Sequence, residues 1–209
     1  MTGLVRPSVF ALVSCLAAAV GARAQQPSLL EQSRSAERGL FDLCLQDAPD
    51  AARVAEHGEV WGWPRFMGYL EHPEGYRRQA GGESRRVFHD GDQTAFVEAT
   101  VQSGVVDTAQ PADVRYFRCN AASDQPVNAD MEAYFSGKYG APASKSSATV
   151  WLTGAAKAAD PADDDGVAKA VATAGPGAQG LRIELTRENG LDRVKLSLFR
   201  NGPPEAADR

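Results

Sequence analysis

The sequence has 209 residues, of which 43% are hydrophobic and 23% are charged, and its formal net charge at pH 7 is −5. A chain of this length suits one domain with an adequate hydrophobic core. The acidic balance argues against general nucleic-acid binding, which depends on Lys and Arg that neutralise phosphates, and against adhesion to anionic lipid. No apolar run after residue 24 approaches the length of a membrane-spanning helix.

The first 24 residues predict export. They combine Arg6, an apolar run over residues 8–20 and an Ala-Arg-Ala sequence ending at Ala24, which is the pattern of a cleavable secretory signal. Cleavage after Ala24 removes two arginines and no acid, so the charge changes from −5 to −7. We therefore expect a periplasmic or secreted protein. The alternative is a lipoprotein in which Cys15 is lipidated and becomes the N-terminus, but the stretch after Cys15 is still apolar.

Two cysteines remain after removal of the signal, Cys44 and Cys119. Thiols that can meet in an oxidising compartment tend to pair, and no neighbouring residues suggest a metal site. The sequence therefore predicts one Cys44–Cys119 disulfide, with a pair of free, buried cysteines as the alternative.

The N-terminal part predicts two helices. Apolar residues recur at helical spacing over residues 28–48, and Pro49 ends this helix. Asp50 can then cap a second, short helix. Residues 59–70 are aromatic but broken by glycine and proline, which predicts an irregular strand, and residues 71–83 are expected to form a loop.

The middle of the chain alternates strands with one helix. Two β runs flank Asp90-Gly91, a strong signal for a two-residue hairpin. Residues 113–119 predict another strand, residues 128–140 predict a helix, and residues 147–153 predict a further strand.

The last part of the predicted domain, which covers residues 25–200, contains an insertion and a hairpin. Residues 154–180 are rich in Ala and Asp and offer little to bury, so we expect a flexible loop or a frayed helix. Residues 201–209 are expected to be a disordered tail. Asn189-Gly190 predicts a tight turn between the last two strands, which then form a hairpin with apolar residues opposite each other. The facing residues are Leu181, Ile183 and Leu185 on one strand and Val194, Leu196 and Leu198 on the other.

Strands outnumber helices in this order, and neighbouring strands are linked by hairpins. The sequence therefore predicts an α+β fold with an antiparallel sheet of about six to seven strands. The two N-terminal helices and the one middle helix are expected to pack on one face of that sheet.

The best candidate binding residues are four arginines and two tryptophans. Paired guanidinium groups around a Gly-Gly sequence can hold a carboxylate or a phosphate, although arginine doublets at a sheet edge also discourage strand pairing. The tryptophans belong to an aromatic cluster that either packs between helices and sheet or, if exposed, forms a partner surface. These residues are Arg77, Arg78, Arg85, Arg86, Trp61 and Trp63.

Motifs for metal, cofactor or nucleophilic chemistry are not found in the sequence. His57, His72 and His89 have no metal-ligand spacing, and we interpret them as surface or cap histidines. The acidic segment 160–166 does not match a calcium-binding loop, so we expect it to be solvated. We accordingly predict no catalytic residue, metal or cofactor.

These patterns favour an exported, non-enzymatic binding or interaction protein, whose partner is an envelope protein or a small anionic ligand. One alternative is a small periplasmic hydrolase with a site assembled from distant residues, since catalytic groups need not be close in sequence. The other is an envelope lipoprotein anchored through Cys15.

Overall fold

The computed structural model describes the chain in five stretches, residues 26–47, 50–68, 76–106, 114–159 and 163–202. The predicted signal with Cys15 and Ala24, His72 and the tail from residue 203 lie outside these stretches.

The described residues form one antiparallel sheet of seven strands with four α-helices. The strands are β1 (Tyr76–Asp90), β2 (Gln93–Val106), β3 (Val114–Ser123), β4 (Ser144–Lys145), β5 (Thr149–Gly154), β6 (Gln179–Glu188) and β7 (Leu191–Asn201). The helices are α1 (Leu29–Asp47), α2 (Ala51–Val60), α3 (Asn128–Tyr139) and α4 (Asp164–Ala174), and a short 3-10 helix spans Ala155–Ala158. In space the strands follow the order β1-β2-β3-β7-β6-β5-β4. The predicted α+β class with an antiparallel sheet is confirmed.

The C-terminal hairpin has the predicted register. Leu181 lies opposite Leu198, Ile183 opposite Leu196, and Leu185 opposite Val194. Asn189 and Gly190 both have positive φ, 52° and 81°, as a tight two-residue hairpin turn requires. This register keeps the alternating apolar residues on one face of the sheet. A shift by one residue would turn all of them to the other face.

Helices α1, α2 and α3 pack on the face of the sheet that carries this apolar pattern. Leu40, Phe41 and Cys44 of α1 belong to the main core together with Ile183 and Leu196 of the sheet. The predicted disulfide is confirmed. Cys44 of α1 is bonded to Cys119 of β3, with the two Cα atoms 6.3 Å apart. The bond thus joins the first helix to the centre of the sheet.

Helix α4 packs on the opposite face, so the helix arrangement differs from the prediction, which placed three helices on one face and none on the other. Its apolar stripe, Val167, Ala168 and Val171, is buried against Tyr116 and Phe199 in a second core. The segment that was expected to be a flexible loop or a frayed helix therefore contains a packed helix. Its short apolar stripe can be buried because the sheet offers apolar side chains on this face.

The approach of α4 depends on a glycine in β6. A Cβ atom on Gly180 would lie 2.8 Å from a methyl group of Val171 and 3.1 Å from one of Val167. Asp163 precedes the helix and its carboxylate accepts a hydrogen bond from the Gly166 amide at 2.6 Å, the usual N-terminal cap.

Three element boundaries differ from the sequence prediction. Helix α2 continues to Val60, and of the described residues in the expected irregular strand only Met67 pairs with the sheet, opposite Glu83. Strand β1 begins at Tyr76 inside the expected loop. Strand β7 reaches Asn201, which is buried and donates hydrogen bonds to two carbonyl groups of α4, whereas the predicted domain ended at residue 200.

None of the helices in the described stretches has both the length and the apolar character that crossing a membrane requires.

One acid is buried in the main core. Glu37 of α1 is fully buried, and neither of its carboxyl oxygens has a hydrogen-bond partner among the described residues. Burial, and secondly the negative charge of Asp192, raise its pKa to about 8. At neutral pH the side chain is therefore protonated in the folded protein and ionised in the unfolded chain.

Replacing this acid is expected to change how stability depends on pH. Because the folded state binds the Glu37 proton more tightly, the free energy of unfolding falls as pH rises from about 4.5 to about 8. The loss is at most about 1.4 kcal/mol per pH unit. Glu37→Gln should remove it and raise the free energy of unfolding by up to about 3 kcal/mol at pH 7, with little gain at pH 4.5.

Urea denaturation at several pH values between 4.5 and 8 measures this effect. The exposed Glu56 of α2 provides the control, since Glu56→Gln should leave the pH dependence of the wild type unchanged. A Glu37→Gln variant that loses stability with pH as steeply as the wild type would contradict the assignment.

Candidate functional site

A groove of about 640 Å³ runs along α1 on the helix-covered side of the molecule. Its walls come from α1, from the start of α3, from the connection that follows α2, and from β1. We call it the arginine–tryptophan groove and define it by Arg34, Arg38, Trp61, Trp63, Arg86 and Asp130; the acids Glu31 and Asp42 also line it. It is the place where the structure brings several of the predicted binding residues together.

Helix α1 supplies two arginines to the groove. Arg34 and Arg38 are four residues apart and therefore share one helix face. Asp130, in the first turn of α3, lies between them, 2.6 Å from Arg34 Nε and 3.8 Å from Arg38 Nη2. Arg34 is thus held by a close ion pair, whereas Arg38 is held loosely and its side chain is about half exposed. These residues were not among the sequence candidates, although the helical spacing of the two arginines was a visible signal.

The two tryptophans have different surroundings. Trp63 is only 3% exposed and packs against Phe66, with ring centroids 6.1 Å apart. Trp61, directly after α2, is 52% exposed. Of the two alternatives for the aromatic cluster, Trp63 therefore follows the core interpretation, and Trp61 offers an indole at the surface of the groove.

Among the three candidate arginines whose side chains the structure describes, only Arg86 lies with the tryptophans. Arg86 points to the helix side of β1, where its Nη1 donates a hydrogen bond to the Trp61 carbonyl at 3.4 Å. Arg85 lies on the opposite face, 3.5 Å from Glu98 and with its guanidinium 4.0 Å from the ring centre of Phe96.

The other two arginines lie near the far end of β1. Arg77 is eight residues from Arg85, or roughly 25 Å along an extended strand. The side chain of Arg78 lies outside the described part of the structure. Arg77, Arg85 and Arg86 therefore lie apart from one another, because consecutive strand residues face opposite sides and β1 is long.

A buried charge network lies on the other face of the sheet, under the N-terminus of α4. Asp164 is 6% exposed, and its Oδ2 lies 2.9 Å from Lys195 Nζ, 3.0 Å from Arg118 Nη2 and 3.0 Å from Ser197 Oγ. Arg182 Nη1 is 3.5 Å from the other oxygen. The expectation that this acidic segment is solvated is therefore wrong for Asp164, which joins α4 to three strands.

The electrostatics of this network keep Asp164 ionised. Burial raises the pKa of its carboxyl group, but the charges of Lys195, Arg118 and Arg182 lower it by more, and the net pKa lies below the ordinary value. The arrangement fits a structural ion cluster, since the sheet supplies the cations and α4 supplies the acid.

The same face carries a shallow polar concavity of about 300 Å³ near the N-terminus of α4, where Lys195 lines it. Thr100, Asn120, Lys195 and Glu184 are successive cross-strand partners on β2, β3, β7 and β6. Asn120 Nδ2 donates a hydrogen bond to Thr100 Oγ1 at 3.0 Å. Groups of both signs line this surface, so its charge favours no one class of ligand.

The two described histidines lie apart from these sites. His57 is in the last turn of α2 and is half-buried, and His89 is exposed beside the first hairpin turn. Within the described stretches, no group of three or more His, Cys, Asp or Glu side chains is arranged to hold a metal ion.

Comparisons with protein-family models, with curated proteins and with solved structures find no match.

Proposed function

We propose that this protein is an exported, non-enzymatic binding protein that holds a carboxylate-bearing partner in the arginine–tryptophan groove. The observation that carries the proposal is the half-exposed indole of Trp61 beside Arg86 and opposite Arg38. Tryptophan and arginine are the residue types that most often dominate the free energy of binding at protein interfaces.

The apolar surroundings of Trp61 support a macromolecular partner. Val60, the last residue of α2, and Met67, in the connection between α2 and β1, are both largely exposed. Large apolar side chains that cluster at the surface are typical of interaction sites. The apolar contacts would supply affinity, and the neighbouring guanidinium groups would select a partner with carboxylates.

Arg38 is the group best placed to bind that carboxylate. Arg34 already holds Asp130 at 2.6 Å, whereas Arg38 approaches the same acid only to 3.8 Å. A partner carboxylate can therefore take over Arg38 without breaking the close ion pair between α1 and α3.

Export remains a prediction from residues 1–24. The Cys44–Cys119 disulfide is compatible with it, because disulfides persist in oxidising compartments. The hydrolase and lipoprotein alternatives have no comparable observation in their favour.

A random peptide library, selected on the wild type and counter-selected on the variant Trp61→Ala/Arg38→Ala, tests the proposal. We expect the enriched peptides to carry acidic residues and to bind the wild type at least 10-fold more tightly than the variant, since such anchors contribute about 2 kcal/mol or more.

The control for this selection is Arg193→Ala. It removes a partly exposed arginine of β7, on the opposite face of the sheet and away from β1, so binding should be unchanged. Both variants must keep the wild-type unfolding transition. Failure to enrich any peptide, or enrichment of peptides that bind the variant as well as the wild type, would exclude the groove as a peptide-binding site.

A further inference from the structure

Strand β1 is an outer strand of the sheet, and part of its outward edge is open. The hairpin closes with Asp90 opposite Gln93 across a two-residue turn, and the closing pair of such a hairpin is hydrogen-bonded. Hydrogen-bonded and non-bonded pairs alternate along an antiparallel pair, so every second residue turns its N–H and C=O outward. Counting from Asp90, those residues are His89, Val87, Arg85 and Glu83.

The pairing of Glu83 supports this assignment. Its amide donates to the Met67 carbonyl at 2.8 Å, and its carbonyl accepts from the Met67 amide at 2.9 Å. Met67 thus covers the edge at one residue. Among the described residues, no hydrogen bond reaches the outward main-chain groups of Arg85, Val87 and His89.

We propose that residues 85–89 of β1 accept an extended, acidic peptide segment as an additional strand. This deepens the proposed function and rests on it, since the edge lies beside the arginine–tryptophan groove. Main-chain hydrogen bonds to an exposed edge are a common way of binding extended peptides. Met67 already makes one such pair with Glu83, so the open part of the edge continues a line of pairing that the chain itself begins.

Charge selects the occupant. Strand β1 carries four arginines against one glutamate and one aspartate, in a chain whose net charge is −5. Arg85 and Arg86 project to opposite faces, so an added strand meets a guanidinium on each side. Acidic side chains at two consecutive positions of the peptide point to opposite faces and satisfy both guanidinium groups, and the one on the helix side approaches Trp61.

The same charges disfavour a second copy of β1 as the occupant. Two copies paired edge to edge would bring their arginine doublets close together, and like charges between paired strands are destabilising. An acidic segment is attracted by the same arginines that repel a second copy of β1.

The test uses a blocked hexapeptide with two adjacent Glu residues at its centre and Val on either side, titrated into the folded, disulfide-bonded protein. The key variant is Val87→Pro, which removes one outward amide without removing a hydrogen bond to β2, and proline is tolerated at such edge positions. The matched control is Val87→Thr, which keeps the amide. We expect at least a 10-fold weaker affinity for Val87→Pro and an unchanged affinity for Val87→Thr.

N-methylation of the peptide gives a second, independent readout that needs no protein variant. Methyl groups on one alternating set of peptide amides should abolish binding, and methyl groups on the other set should be tolerated, because only one set faces β1. Equal binding of both methylated peptides would overturn main-chain pairing.

The remaining outcomes separate this proposal from the proposed function. If Val87→Pro binds like the wild type while Trp61→Ala/Arg38→Ala loses affinity, the groove binds and strand addition is wrong. If the wild type does not bind the hexapeptide, the acidic specificity of the edge is wrong. If sedimentation shows a dimer that Val87→Pro dissociates, the occupant is a second copy and the proposal is overturned.

Discussion

Replacing both disulfide cysteines, as Cys44→Ala/Cys119→Ala, is expected to lower the free energy of unfolding by roughly 4.5 kcal/mol. The bond spans 75 residues of sequence, so it restricts the unfolded chain strongly. Alanine is chosen because both positions are fully buried and a serine hydroxyl would add the cost of an unpaired polar group. Urea denaturation, with unfolding followed by circular dichroism, measures the loss.

Reduction of the wild type provides the matched control, because it breaks the bond and keeps the side-chain volume. The reduced wild type and the double variant should lose similar amounts of stability. A double variant within about 1 kcal/mol of the oxidised wild type would show that the unfolded chain is already compact around this pair, since residual structure lowers the entropic effect.

Local signals were sufficient for much of this fold. Asn189 and Gly190 specify a turn through their own backbone preferences, and the alternation on either side then fixes the register. Cys44 and Cys119 were identifiable because only two cysteines follow the predicted signal and the helix spacing places the first on a buried face.

Helix α4 could not be predicted with the same certainty, because its reason for folding lies elsewhere in the chain. Val167, Ala168 and Val171 are a weak stripe by themselves in a segment of alanines and aspartates. They become a buried face only where Tyr116 and Phe199 present apolar surface from the side of the sheet that was expected to be free.

The arginine–tryptophan groove was missed for a similar reason. Asp130 is nearly a hundred residues away from Arg34 in sequence, and only the packing of α3 against α1 brings them together. The candidate arginines are divided between two surfaces for a simpler reason, since neighbours in a strand face opposite sides: Arg85 and Arg86 are adjacent in sequence yet lie on different surfaces.

The polar network under α4 also explains how so short an apolar stripe holds a helix. Asp164 sits at the first turn, where a negative charge is favoured by the helix dipole. It also meets Lys195, Arg118 and Arg182 from three different strands. The helix is thus fixed at one end by charge and along its length by Val167 and Val171.

Asp164→Ala is accordingly expected to lower the free energy of unfolding by about 3–5 kcal/mol, because it leaves buried arginines without their acid. Hydrogen exchange should show the amides of α4 losing protection first. The wild type should lose the same contribution to the free energy of unfolding when Asp164 becomes protonated at low pH. Since the folded pKa of Asp164 lies below its unfolded value, its stabilising effect is present at neutral pH and is lost as pH falls through the folded pKa.

Asp165→Asn is the matched control for this prediction, because Asp165 is the next residue of the same turn but is exposed. It accepts a hydrogen bond from the Tyr76 hydroxyl at 2.6 Å, which an asparagine oxygen can also accept. The loss there should stay within about 1 kcal/mol. If Asp164→Ala costs no more than this control, the three cations are solvated well enough without the acid, and the apolar stripe alone holds α4 on the sheet.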